Sequence, residues 1–125
     1  MKIHKKCLEV CFLSLKETEL SLADSRVRDA FLKELTKAVK TFYAERKVVM
    51  EKFCTKNEDG TPKLGENDEF HFEPEVVADL STELQTLIDE EVEIPGDKEK
   101  IAAILNETKY KPKFGEVELI DLLLA

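Results

Sequence analysis

Residues 24–60 read DSRVRDAFLKELTKAVKTFYAERKVVMEKFCTKNEDG, and the pattern within them decides the fold. Val27, Phe31, Leu35, Ala38, Phe42, Val49 and Phe53 recur at steps of three, four and seven, the spacing of one face of an α-helix. No Gly or Pro interrupts residues 24 to 59. Asp24 or Ser25 supplies an N-cap. Asn57-Glu58-Asp59-Gly60 ends the run, with Gly60 suited to a left-handed conformation. The spacing predicts an amphipathic helix of about 30 residues, roughly 45 Å long. A compact chain of 125 residues would be only about 36 Å across. Such a helix implies an elongated molecule, a kink, or a far end that packs on another copy.

Downstream of that helix, Thr61-Pro62-Lys63-Leu64 and Glu69-Phe70-His71-Phe72 flank the polar turn Gly65-Glu66-Asn67-Asp68. They read as a small β-hairpin with Phe70 and Phe72 on one face and His71 on the solvent side. A lone hairpin is marginal in water, so its phenylalanines are expected against a helix. Pro74 suits the first turn of a second long helix, expected to run to about Val92 on Val77, Leu80, Leu84, Leu87 and Ile88. Ile94-Pro95-Gly96 ends it. Asp97 caps a short helix carrying Ile101, Ile104 and Leu105, and a last helix holds Val117, Ile120, Leu123 and Leu124.

Upstream, Ile3, Cys7, Val10 and Cys11 predict a short first helix over residues 3 to 14, with a connector from Leu15 to Ala23. Lys2, Lys5 and Lys6 before a nine-residue apolar stretch imitate a secretory signal. Glu9 within that stretch, and the lack of a small-x-small cleavage site before Lys16, argue against one. No run approaches the roughly 18 apolar residues of a membrane span.

Composition narrows the function. The chain carries 19 basic and 27 acidic residues, a net charge of −8, which disfavours a general binder of nucleic acid or anionic membrane. The charge is uneven. Residues 1–63 hold 14 bases and 10 acids, residues 66–99 hold 13 acids and one lysine, and residues 100–125 balance at four each. The expected arrangement is a basic long helix packed antiparallel on the acidic one, with paired rims. The acidic segment could also face a basic partner or imitate a nucleic-acid backbone.

Catalytic patterns are sparse. Three cysteines, Cys7, Cys11 and Cys54, point to free, buried thiols in a reducing compartment such as the cytoplasm. His4, Cys7, Cys11 and Cys54 fit no common zinc spacing. Cys54 with His71 has the atoms of a nucleophile–base pair but no surrounding signature. Asp89-Glu90-Glu91-Val92-Glu93 is the densest carboxylate group for a metal-dependent enzyme using Asp89, Glu90 or Glu93. On a helix only Asp89 and Glu93 share a face, with Glu90 about 100° away and Glu91 nearly opposite, so the group does not converge on a metal. Gly60 and Gly65 lack the residues of a phosphate-binding loop. No catalytic, cofactor-binding or metal site is assigned.

Several short motifs recur in a telling order. They are Ser25-Arg26-Val27-Arg28, Glu58-Asp59-Gly60-Thr61-Pro62-Lys63, Glu66-Asn67 before Phe70-His71-Phe72, and Glu90-Glu91-Val92-Glu93-Ile94. Ile101-Ala102-Ala103-Ile104-Leu105 and Gly115-Glu116-Val117-Glu118-Leu119-Ile120-Asp121 complete the series. From about residue 20 onward the chain resembles a family of small acidic proteins of unknown function from tailed bacteriophages and prophages of Gram-positive bacteria. That resemblance implies synthesis in an infected or lysogenic bacterial cytoplasm and transfers no catalytic residue.

The expectation is a single domain over residues 1–125, mainly α (α+β): long helix, hairpin, returning antiparallel helix and short terminal helices. The expected function is a non-enzymatic interaction protein of phage or prophage origin, self-associating through the long helix and linked to virion (tail) morphogenesis. Its partner would be a protein, a second copy included, rather than nucleic acid or membrane. The alternative is an acidic inhibitor of a host nucleic-acid-binding or defence protein.

Overall fold

In a computed structural model that describes residues 1–125, the 24–60 stretch forms one uninterrupted helix, α2, Leu22–Phe53. Its 32 residues span about 48 Å. The helix starts three to four residues earlier than the sequence suggests, because Ser21 Oγ, rather than a side chain at Asp24 or Ser25, is the cap and accepts the Asp24 N–H at 3.2 Å. It also stops short of Gly60, since Cys54 leaves in extended backbone (φ −69°, ψ 154°). Gly60 is left-handed (φ +85°), but in the turn after the helix.

The other helices are α1 (Leu8–Lys16), α3 (Val77–Asp89), α4 (Lys98–Asn106) and α5 (Glu116–Leu124). Asp97 caps α4 as expected, accepting the Lys100 N–H at 3.1 Å. Two short strands, β1 (Lys2–His4) and β2 (Glu91–Glu93), pair antiparallel with Ile3 opposite Val92. The architecture is therefore mainly α with one small two-stranded sheet. No helix is long and apolar enough to cross a membrane.

Two expected helices lose an end to that sheet. Residues 2–4 are β1 rather than the start of a helix over 3–14, and a 3-10 turn at Lys5–Cys7 leads into α1. The helix expected from Pro74 to Val92 is a 3-10 turn at Pro74–Val76, then α3, which ends at Asp89. Strand pairing across some 90 residues leaves no local periodicity, so helical spacing of Ile3 with Cys7, and of Ile88 with Val92, misleads.

The hairpin is irregular. Thr55 donates its N–H to His71 O at 2.8 Å and accepts from Lys63 N at 2.8 Å, while His71 N donates to Lys63 O at 3.2 Å. Three extended segments thus meet at the exit of α2, with antiparallel bridges at Lys56–Pro62 and Leu64–Phe70. Phe70 and Phe72 do share a side, their ring centroids 6.4 Å apart, and both are half-buried.

The core lies at the N-terminal half of α2. Ile3, Cys7, Leu8, Cys11 and Leu15 from the first sixteen residues pack with Phe31 and Leu35 of α2, Ile94, Ile101, Ile104, Leu105 and Leu123. Gly96 is needed there, because a Cβ would lie 2.7 Å from the Phe31 ring. Segment 1–16, which lies outside the motif series, supplies much of the interior. Ser14 is fully buried and its Oγ has no hydrogen-bond partner. Replacing it removes an unpaid desolvation cost and adds helix propensity. Ser14→Ala is therefore expected to stabilise the protein by about 1 kcal/mol, seen as a Tm about 4 °C higher. A lower Tm would mean the hydroxyl has a partner.

Candidate interaction surface

Past residue 42, α2 leaves the core and carries its second half beside α3 and the 55–72 ribbon. The antiparallel return is visible in its ion pairs: Lys52 of α2 meets Glu83 of α3 at 2.6 Å. At the other end of α3, however, the acids do not pair with the long helix as expected. Lys6 takes Asp89 at 2.9 Å, and Lys5 reaches both Glu45 at 2.8 Å and Glu90 at 3.7 Å. The N-terminal lysines therefore bridge α2 and α3. Both belong to the basic surplus of residues 1–63 but lie outside the long helix, and only the tertiary fold brings them to the acidic segment.

The acidic residues Asp89, Glu90 and Glu93 are each held apart. Hydrogen bonds from Gln85 and Lys6 hold the Asp89 carboxyl below the usual range, and the Met1 amino group does the same for Glu93. His4 sits on the sheet, its Nε2 3.4 Å from Glu91, while Cys7 donates to Leu119 O at 3.4 Å in the core. All three cysteines are free and buried; burial pushes the Cys11 thiol up to about 12. Cys54 donates to Glu51 O at 3.3 Å and receives the Lys56 ammonium at 3.0 Å, whereas exposed His71 bonds Thr55 Oγ1 at 2.9 Å. The pair Cys54 and His71 is thus not assembled. No three His, Cys, Asp or Glu side chains converge as metal ligands would.

Surface features are more definite. An open groove of about 570 Å³ runs between the outer face of α2 and the ribbon. Pro62, Leu64 and Phe70 make its apolar side, and Lys47, Glu51 and Asp68 its polar side. Leu64 is 49% exposed and nearby Val48 on α2 is 66% exposed. Asn67 and Asp68 at the ribbon's tip both have positive φ, 59° and 57°, as in the two-residue turns of tight hairpins. Asn tolerates this, but Gly would suit the second position better. Asp68 instead keeps a carboxylate there. Glu66, Asp68, Glu69, Glu75 and Asp79 are exposed and have no cationic partner.

The second feature escaped the sequence reading, which treated Tyr110-Lys111-Pro112-Lys113-Phe114-Gly115 as a mere connection. Phe114 is fully exposed, and Val117 beside it is 54% exposed. Gly115 (φ +86°, ψ −18°) occupies the third position of a type II turn closed by Glu116 N–H to Lys113 O at 3.0 Å. Phe114 is therefore at the corner. The Glu116 carboxylate braces the loop, accepting Tyr110 Oη at 2.8 Å and Lys113 N–H at 2.6 Å. One signal was available: an aromatic residue between Lys-Pro-Lys and Gly, out of register with any apolar stripe.

Those hydrogen bonds, from Lys113 N–H first and Tyr110 second, hold the Glu116 carboxyl below its ordinary range. A lowered folded value means the bracing is complete above the ordinary glutamate pKa and is lost as pH falls through the folded one. Acidification from pH 7 to about 3 is expected to lower the protection of the Lys113 amide relative to its intrinsic exchange rate, which itself slows over that range. Glu116→Gln should speed that exchange at pH 7; unchanged protection in both cases would refute the brace.

Comparison with family models finds no match, and comparison with curated proteins and with solved structures likewise finds none.

Proposed function

We propose that this protein is a non-enzymatic interaction protein of phage or prophage origin, acting in the bacterial cytoplasm. It self-associates through the distal half of α2 and serves virion, specifically tail, morphogenesis. The observation that carries this reading is the amount of surface left open. The accessible area is 8400 Å², against about 6,800 Å² for a compact monomer of 14.3 kDa. Where α2 outruns the core, Val48 is 66% exposed, and Leu64 of the ribbon is 49% exposed. An excess of about 1,600 Å² on one chain is about twice the roughly 800 Å² that each partner gives to a standard protein–protein interface. The order of motifs from residue 20 onward supports the phage context. Size-exclusion chromatography with light scattering, over a wide concentration range, is expected to give species larger than 14.3 kDa. A strict monomer with a globular radius overturns the reading.

The unpartnered carboxylates Glu66, Asp68, Glu69, Glu75 and Asp79 favour a second reading, an acidic inhibitor that occupies a basic site on a host nucleic-acid-binding or defence protein. Capture of such a protein from host lysate should fall steeply between low and high salt. Capture indifferent to salt would argue against it.

A further inference from the structure

The groove and the Phe114 loop are complementary in polarity and charge. The groove offers an apolar side, Pro62, Leu64 and Phe70, with Asp68 in its lining and exposed Glu66 and Glu69 close to Asp68 in the same turn. The loop offers an apolar corner, Phe114, next to Lys111 and Lys113. Neither ammonium has a carboxylate partner, and Glu66, Asp68 and Glu69 have no cationic one. Within one chain the two features do not meet. Phe114 touches nothing that covers it, and no residue beyond Phe70 lines the groove.

From this we infer that the Lys111–Phe114 loop of one copy seats in the Pro62–Leu64–Phe70 groove of a second copy, with Lys111 and Lys113 against Glu66, Asp68 and Glu69. The inference rests on the self-association proposed above and gives it a surface. Order on both sides favours it. Pro112 fixes its own φ and biases Lys111 toward extended backbone, and Glu116 pins the loop from behind. A loop already held in its binding shape loses little entropy on docking. Asp68, held at φ +57° where Gly would be easier, spends conformational energy to keep a carboxylate at the rim. An aromatic anchor within a polar, charged rim is the common anatomy of an interface. The same lysines facing an anionic membrane would have to bring a net charge of −8 with them, which repels it.

Because the two surfaces differ, each copy presents one knob and one hole. The contact closes as a reciprocal pair or a ring, or continues as a filament.

Sedimentation velocity on the full chain, at 50 and 500 mM salt, tests the contact. Phe114→Ala is expected to weaken association by about tenfold or more. Two charge reversals, Lys111→Glu with Lys113→Glu, and Asp68→Lys with Glu69→Lys, should each do the same at low salt. Mixing the two charge-reversed proteins should restore assembly, since each altered surface then meets its complement. All five residues are exposed, and unchanged thermal melts would confirm that the variants fold. Assembly of the wild type that is unaffected by Phe114→Ala, or a mixture that stays dissociated, overturns this contact while leaving self-association intact. A wild type that is monomeric throughout overturns both.

Discussion

Leu35→Ala is expected to destabilise the protein by about 3 kcal/mol, within the range for buried Leu to Ala changes. Leu35 is fully buried at the level of α2 where Leu15, Phe31, Ile101 and Leu105 belong to the same cluster. Only 18 residues are buried in the whole chain, so the cavity cannot be closed by a thick surrounding core. A loss of that size is a large share of the roughly 5–15 kcal/mol that keeps a domain folded. Chemical denaturation should show a lower midpoint with an unchanged slope. Leu64→Ala, at a site 49% exposed, is the control and should cost well under 1 kcal/mol. Equal losses at the two positions would place the core elsewhere.

Val48→Pro probes the other half of the rod. Val48 is 66% exposed, so removing its side chain costs almost no packing. Proline deletes the N–H of residue 48 from the helix ladder and its ring crowds the carbonyl four residues back, at about 3 kcal/mol or more. Beyond residue 42 no buried residue of α2 holds the helix to the main cluster. The expected outcome is local: amides of residues 44–53 and of the 55–72 ribbon exchange faster, while those of Phe31 to Ala38 keep most of their protection. Val48→Ala keeps the ladder and should stay within about 0.5 kcal/mol of the wild type. A proline variant with wild-type exchange at residues 44–53 would mean that α2 is not continuous there.

These two substitutions separate what binds this fold from what extends it. The proximal core determines whether the chain folds; the distal half of α2 determines which surfaces it presents. The groove depends on the second, because Lys47 and Glu51 reach it only while α2 remains helical past residue 47. The Phe114 loop depends on the first, through α5 and its bond from Cys7 to Leu119 O.

Residue order alone carried the long helix, since an unbroken period of apolar residues without Gly or Pro admits no other regular structure. It also carried the α4 cap at Asp97, the final helix and the concentration of acid between residues 66 and 99, all of which are local in the chain. Tertiary structure decided the rest. β1 and β2 exist only because each supplies the other's backbone partners from across the chain. The spacing of Cys7, Val10 and Cys11 did indicate α1, but its bounds, Leu8–Lys16 in place of residues 3–14, follow from the sheet that takes residues 2–4. Lys5 and Lys6 acquire their bridging role, and Phe114 its isolation, from where distant segments come to rest. Local spacing encodes an element because neighbouring residues share its geometry, whereas a surface joins residues that only the completed packing makes neighbours.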